Sequence, residues 1–216
     1  MNPSTPLEPV EPSERLAADF ALWEAAEAGH AGQPGRCWQT EGPVVVVGRH
    51  GVIATEINEN ACRADGVPIV RRFSGGGAVV LGHGCLNYAV ALSLASRPEL
   101  VEVAASFRFV LEALVAALAV PGLSIMGGTD LALNGRKVSG NAQRRGRRAI
   151  VHHGTLLYAF DPALATRYLK EPARRPAYRA ARCHGDFLGN LPLSGDTIRV
   201  RLQAAWEHLA RASAGM

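Results

Sequence analysis

Four consecutive valines, Val44–Val47, stand between Pro43 and Gly48. A β-branched run bounded by turn residues fits a short strand, and with no polar residue at alternate positions it has no face to give to water. The chain must therefore cover this strand on both sides. Further strands are predicted at Ile69–Arg72 just after Pro68, at Gly75–Leu81 as a glycine-led strand, and at Leu86–Leu94. Leu131–Leu133 and Lys137–Gln143 flank Asn134-Gly135, the preferred type I′ dipeptide, and read as a β-hairpin; Ala149–Tyr158 reads as one more strand. Helices are predicted from Ser13, a candidate cap, to Gly29, over Leu100–Val120 before Pro121 and Gly122, and over 162–170 and 195–212. A Pro- and Arg-rich stretch, 172–193, joins the last two. Helix, strands, helix, hairpins and helices in this order, without an internal repeat, suggest an α+β domain on a mixed or antiparallel sheet packed with helices.

The 216 residues suit one domain, taken as 13–216 behind a loose leader, 1–12, that carries four prolines and no apolar period. No apolar run reaches the roughly 18 residues of a membrane span, and the N-terminus lacks the basic-then-apolar order of a signal peptide. A cytoplasmic location without membrane attachment is expected. The net charge of +4 does not require nucleic acid. Cys37, Cys62, Cys85 and Cys183 form no CxxC pair and read as free thiols.

Of 23 basic side chains, 21 are arginine and only Lys137 and Lys170 are lysine. Lysine is a compact point charge that fits between two oxygens, so a retained lysine is a candidate for chemistry. Lys137 follows the Asn134-Gly135 turn, where residues at alternate positions can face one pocket. It is either a solvated hairpin lysine or a cation between a carboxylate and a phosphate. Gly75–Gly77 cost stability inside a strand, which points to a β-bulge or to backbone N–H groups converging on an anion. Asp130 can hold Mg²⁺ or cap a turn. His152 and His153 are neighbours in a strand and face opposite sides, so one of them can serve a pocket by hydrogen bonding. Arg144, Arg145, Arg147 and Arg148 flank Gly146 as a solvated turn, a basic rim or a loop over nucleotide.

Three segments, RRFSGGGAVVLGHGCLNY (71–88), GTDLALNGRKVSGNAQ (128–143) and HHGTLL (152–157), together resemble the lipoate-protein ligase family of cofactor transferases, related in fold to biotin protein ligases. Weaker agreement extends over about Leu16 to Asp161. The resemblance implies a biotin/lipoate ligase-like catalytic domain with Lys137 as its essential lysine. It places ATP and lipoyl-adenylate contacts at Arg72, Ser74, Gly75, Gly76, Gly77, Ala78, Val79, Val80, Asn87, Ser139, Gly140 and His153. It further implies ATP, Mg²⁺ and lipoate as reactants and a lipoyl domain as acceptor. Many ligases of the family continue into a C-terminal accessory domain, so a separate accessory protein is expected. A related transferase chemistry runs through a cysteine thioester, for which Cys85 and Cys183 are the candidates; a non-catalytic paralogue is a third reading. The biotin-ligase loop Gly-Arg-Gly-Arg is absent. Gly82-His83-Gly84-Cys85 replaces a His-Asp…Gly-Asn pattern, so no role carries over to His83 or Cys85.

Overall fold

The computed structural model describes residues 11–30 and 35–214. Most of the expected leader, 1–10, lies outside the described residues. The valine run is β2 (Val44–Val47), and all four side chains are buried. It is the middle strand of a three-stranded sheet, parallel to β3 (Ile69–Arg71) and antiparallel to β4 (Val79–Leu81). A parallel neighbour needs a crossover, which two short helices supply, α2 (Ile53–Glu56) and α3 (Glu59–Ala64). Residues of α5 (Pro162–Tyr168) and Phe160 complete the cluster around the valines.

The larger sheet is antiparallel throughout, in the order β1-β5-β9-β8-β7-β6. Its strands are β1 (Gly35–Trp38), β5 (Cys85–Ser93), β6 (Leu123–Met126), β7 (Asp130–Leu133), β8 (Arg136–Arg145) and β9 (Ala149–Leu157). Leu86, Tyr88, Val90 and Leu92 of β5, with Ile150 and Leu156 of β9, turn one face toward α4 (Val103–Leu118) and α7 (Gly195–Ala214) to form the main core. Asn87 pairs with Thr155 and Ala89 with His153 on the intervening positions, so the two-residue period sends these to the opposite face. Helix α1 (Pro12–Glu27) contacts β5 and β9.

Several boundaries differ from the sequence-based expectations. Helix α1 starts at Pro12, whose missing N–H suits the first helical position, and Ser13 does not cap it. The glycine-led strand begins only at Val79; Gly75–Gly77 form a loop with Gly76 at φ +91°. The long helix splits into a 3-10 turn, Pro98–Val101, and α4, because the Glu102 carboxylate accepts from the N–H groups of Ala104 and Ala105 and starts the helix afresh. Strands β1 and β6, helices α2 and α3, and α6 (His184–Phe187) within the Pro- and Arg-rich stretch were not anticipated. The Asn134-Gly135 turn holds: both residues have positive φ, 51° and 72°, and Leu133 pairs with Arg136 across it. No described helix is long and apolar enough to cross a membrane.

Candidate active site

Two cavities share one wall. The inner one, about 270 Å³, is lined by Leu16, Val46, Val79 and Leu81 together with polar Asp19, Arg72, Asn87, Asp130 and His153. The outer cleft, about 730 Å³, reaches from His50 and Glu56 across Gly75, Val80 and Ser139 to the 170–188 stretch. Gly76–Val79, Lys137, Gly140 and Thr155 border both.

The glycine loop is fixed from behind. Arg72, buried to 7% exposure, donates to Gly75 O at 2.6 Å, Gly77 O at 3.0 Å and Ser74 Oγ at 3.1 Å. Glu56 Oε2 accepts from the Ala78 N–H at 2.7 Å, and Oε1 from the Val52 N–H at 2.9 Å. With the Gly75 and Gly77 carbonyls turned to Arg72, the Gly75, Gly76 and Gly77 N–H groups have no acceptor among the described residues. Burial lowers the Arg72 pKa to about 10, against the opposing charge of Glu56. A Cβ on Gly76 would lie 2.8 Å from Arg72 Nη2, in a backbone region that other residues rarely adopt.

Ser74 lines neither cavity; it is the link between Arg72 and His153, whose Nε2 lies 2.5 Å from Ser74 Oγ. Burial, and next the Arg72 charge, push the His153 pKa down to about 3, so the ring is neutral. Because Arg72 already donates to Ser74 Oγ, the hydroxyl proton is available to His153. Phe73 stacks on His153 at 4.9 Å. His152 points the other way, with Nδ1 3.1 Å from Gln143 Nε2 and the rings of Tyr88 and Phe107 nearby. The opposite-face expectation for the two histidines holds.

Lys137 forms the facing wall. Ala132 pairs with Lys137 but Leu131 with Ser139, so Val138 is an extra residue on β8, buried in the core. Lys137 then lies across Gly140, where a Cβ would meet its Cε at 2.8 Å and Nζ at 2.9 Å. Its Nζ is 2.9 Å from Asp130 Oδ1, and Tyr178 donates to Asp130 Oδ2 at 2.8 Å. Lys137 is thus not a solvated hairpin lysine. Both oxygens of Asp130 are engaged, and among the described residues no group of three His, Cys, Asp or Glu could hold a metal. An ion at Asp130 would have to share those oxygens with Lys137 and Tyr178.

The arginines around Gly146 line neither cavity. Arg144 lies over the Trp23 ring at 4.5 Å, and Arg145 donates to Leu100 O and Val101 O. Glu27 accepts from the N–H groups of Arg147, Arg148 and Ala149, which fixes α1 to this turn. Cys85 is buried, and burial raises its thiol pKa to about 12. Cys183 is exposed, donates to Asp186 Oδ2 at 3.1 Å and lines neither cavity.

Sequence reasoning missed Glu56, Asp19 and Tyr178. Asp19 is 1% exposed on α1, takes Arg36 at 2.5 Å and the Trp38 indole at 3.1 Å, and is raised to about 6 by burial, with Arg36 opposing. A buried acid at Asp19 could have been suspected only from its place on the inward stripe of the helix with Leu16.

A profile described as the lipoyl protein ligase A/B catalytic domain matches residues 11–191. The chain belongs to that family. Among its relatives is a protein described as putative lipoate-protein ligase A from Aeropyrum pernix, 33% identical over 154 residues, covering 70% of this chain and 56% of the relative. An octanoyltransferase LipM from Symbiobacterium thermophilum is 29% identical over 192 residues, covering 77% and 68%. The fold matches, at TM-score 0.74 and 21% identity over 95% of this chain and 82% of the other, a solved structure of a bipartite lipoate protein ligase of Thermoplasma acidophilum, described with its E2 lipoyl domain. The chain spans about half the length of the first curated relatives it matches. The matched family domain takes in both walls of the cleft, and the relatives of the chain include both ligases and transferases.

Proposed function

We propose that the chain is an ATP-dependent lipoate-protein ligase. A carboxylate is a poor acyl donor, so its transfer to an amine requires activation. In the first step an oxygen of the lipoate carboxylate attacks the α-phosphorus of ATP, giving lipoyl-AMP and pyrophosphate. In the second, a lysine amine of an acceptor lipoyl domain attacks the acyl carbon, AMP leaves, and the amine loses a proton as the amide forms.

The observation that carries this reading is Lys137 on the wall common to both cavities, facing the glycine loop. The inner cavity takes the acyl tail against Leu16, Val46, Val79 and Leu81, and the outer cleft takes the nucleotide. Lys137 then stands where carboxylate and α-phosphate meet and offsets their repulsion. The free N–H groups of Gly75–Gly77 suit phosphate oxygens. Arg72, Ser74 and His153 hold that loop, while Ala78, Val79, Val80, Asn87, Ser139 and Gly140 shape the walls. Mg²⁺ enters as the companion of the ATP phosphates, as substrate, and no step is assigned to it on Asp130. Positioning and charge supply the catalysis, without a covalent enzyme intermediate.

The thioester route needs a reactive thiolate beside Lys137. Cys85 is buried with its thiol pKa raised to about 12, and Cys183 is outside both cavities, which favours the ligase. Intact-mass measurement of a lipoyl domain incubated with this protein, Mg²⁺, ATP and lipoate or octanoate tests it. The expected result is a gain of one acyl group that disappears without ATP. A gain from an acylated carrier protein with no ATP present would overturn the ligase in favour of the transferase.

A further inference from the structure

Tyr178 lies in the 3-10 turn Ala177–Arg179, in the Pro- and Arg-rich stretch that borders the outer cleft. This stretch is tied to the hairpin at several points, among them Arg136 Nε to Leu188 O and the Gly189 N–H to Lys137 O. Arg182 donates to Gly135 O at 2.8 Å, and the Tyr178 hydroxyl donates to Asp130 Oδ2. The Tyr178 ring packs against Phe187 at 5.1 Å and beside Gly127, so its position does not depend on the hydroxyl alone. Asp130 is 5% exposed, and its other oxygen carries Lys137.

We propose that Tyr178 is a positioning residue that acts on Lys137 through Asp130: its hydroxyl occupies one carboxylate oxygen, so that Asp130 offers Lys137 only the other. This rests on the reading of Lys137 given above. An ammonium has three protons and a carboxylate two oxygens. Held by Tyr178, the carboxylate takes one proton of Lys137 and leaves the others for substrate oxygens. Released, it turns both oxygens to the ammonium and competes with every incoming anion. Burial and the Asp130 charge both raise the Tyr178 pKa, which keeps the hydroxyl a donor.

Tyr178→Phe keeps the ring and removes only the donor. In ATP–pyrophosphate exchange it is expected to raise KM for ATP about tenfold, the scale of one hydrogen bond to a charged group, with kcat within about twofold. In an Asp130→Asn background the same substitution is expected to add nothing. The chain has only two lysines, so protein labelled with [¹³Cε,¹⁵Nζ]lysine gives two side-chain signals, which Lys137→Arg assigns. Tyr178→Phe is expected to move the Lys137 signal and leave that of Lys170 in place. An unmoved Lys137 signal, an unchanged KM in the variant, or full additivity with Asp130→Asn would each overturn the proposal. A wild-type chain that exchanges no pyrophosphate would instead remove the ligase reading, and the lysine signal would then decide the Tyr178 linkage by itself.

Discussion

The two walls of the cleft are built on opposite plans. The glycine wall is held by charged side chains placed behind it: Arg72 on the carbonyls of Gly75 and Gly77, and Glu56 on the Ala78 N–H. What it shows the cavities is backbone. The hairpin wall shows a charge, Lys137, and holds it from the front, through Asp130 and Tyr178. Donors fixed in advance need no reorganisation when an anion arrives, whereas a paired cation must be shared with it. On the ligase reading the glycine wall is then a fixed cradle, and the hairpin wall the adjustable charge.

The largest effect is expected on the hairpin wall. Lys137→Ala should lower adenylation, read as lipoate-dependent ATP–pyrophosphate exchange, by about 10² to 10³-fold, the scale of losing one transition-state donor. The substitution also leaves the buried Asp130 carboxylate with Tyr178 but without its cation, so the rate is to be read at a temperature where the variant is folded. A near-wild-type rate would remove Lys137 from the chemistry. The glycine wall should break in the other way. Arg72→Leu leaves the carbonyls of Gly75, Gly77 and Val46 and the Ser74 hydroxyl without their donor, a cost of about 3 kcal/mol in urea unfolding. Loss of exchange activity with unchanged stability would mean that Arg72 contacts nucleotide rather than holding the loop.

This division also marks what could be read from the sequence. The hairpin wall is local: Asn134-Gly135 sets the turn, and Lys137, Ser139 and Gly140 follow within six residues of it. The valine strand announced its own burial for the same reason, since its pattern lies within one run. What stayed hidden joins distant positions. Glu56 acts 22 residues from Ala78 out of a four-residue helix too short to show a period, and Tyr178 acts 48 residues from Asp130. Strands β1 and β6 are four-residue edge strands whose pairing comes from partners rather than from alternation. The glycines were legible as a special backbone site, but a strand was expected where Arg72 draws the carbonyls into a loop.

Acid should separate the walls further, because the glycine wall depends on a neutral histidine. His153 and His152 are each held near 3 by burial against an ordinary 6.5. A depressed folded-state value contributes stability that is present above 6.5 and lost as pH falls toward 3, at about 1.4 kcal/mol per unit for each ring. Asp19, raised to about 6, runs oppositely: its contribution is present below 3.8 and lost as pH rises through 6. Between pH 6 and 4 one net proton remains, so stability should fall with acid by about 1.4 kcal/mol per unit from these groups. His153→Gln should flatten that slope and Asp19→Asn should double it, measured by urea unfolding at pH 4, 5 and 6. Equal slopes in wild type and His153→Gln would show that the ring is not kept neutral.

The smallest effect expected is the one that asks whether the two walls suffice. If fixed N–H groups and a shared cation activate the carboxylate through ATP, no thiol takes part, and Cys183→Ser should leave ATP-dependent lipoylation within about twofold of wild type. Cys183 gives its proton to Asp186, and serine can make the same bond, so the α6 turn is preserved. Cys85→Ala removes a buried sulfur and should cost about 1 kcal/mol of stability for the lost volume without changing the rate constant. The contrast is sharpest when the donor is an acylated carrier protein and ATP is absent. A thioester enzyme works there and loses all activity with its nucleophile, whereas an enzyme built on these walls is idle there with or without either cysteine. Loss of ATP-dependent lipoylation in Cys183→Ser, with the fold intact, would mean that the walls are only half of the machinery.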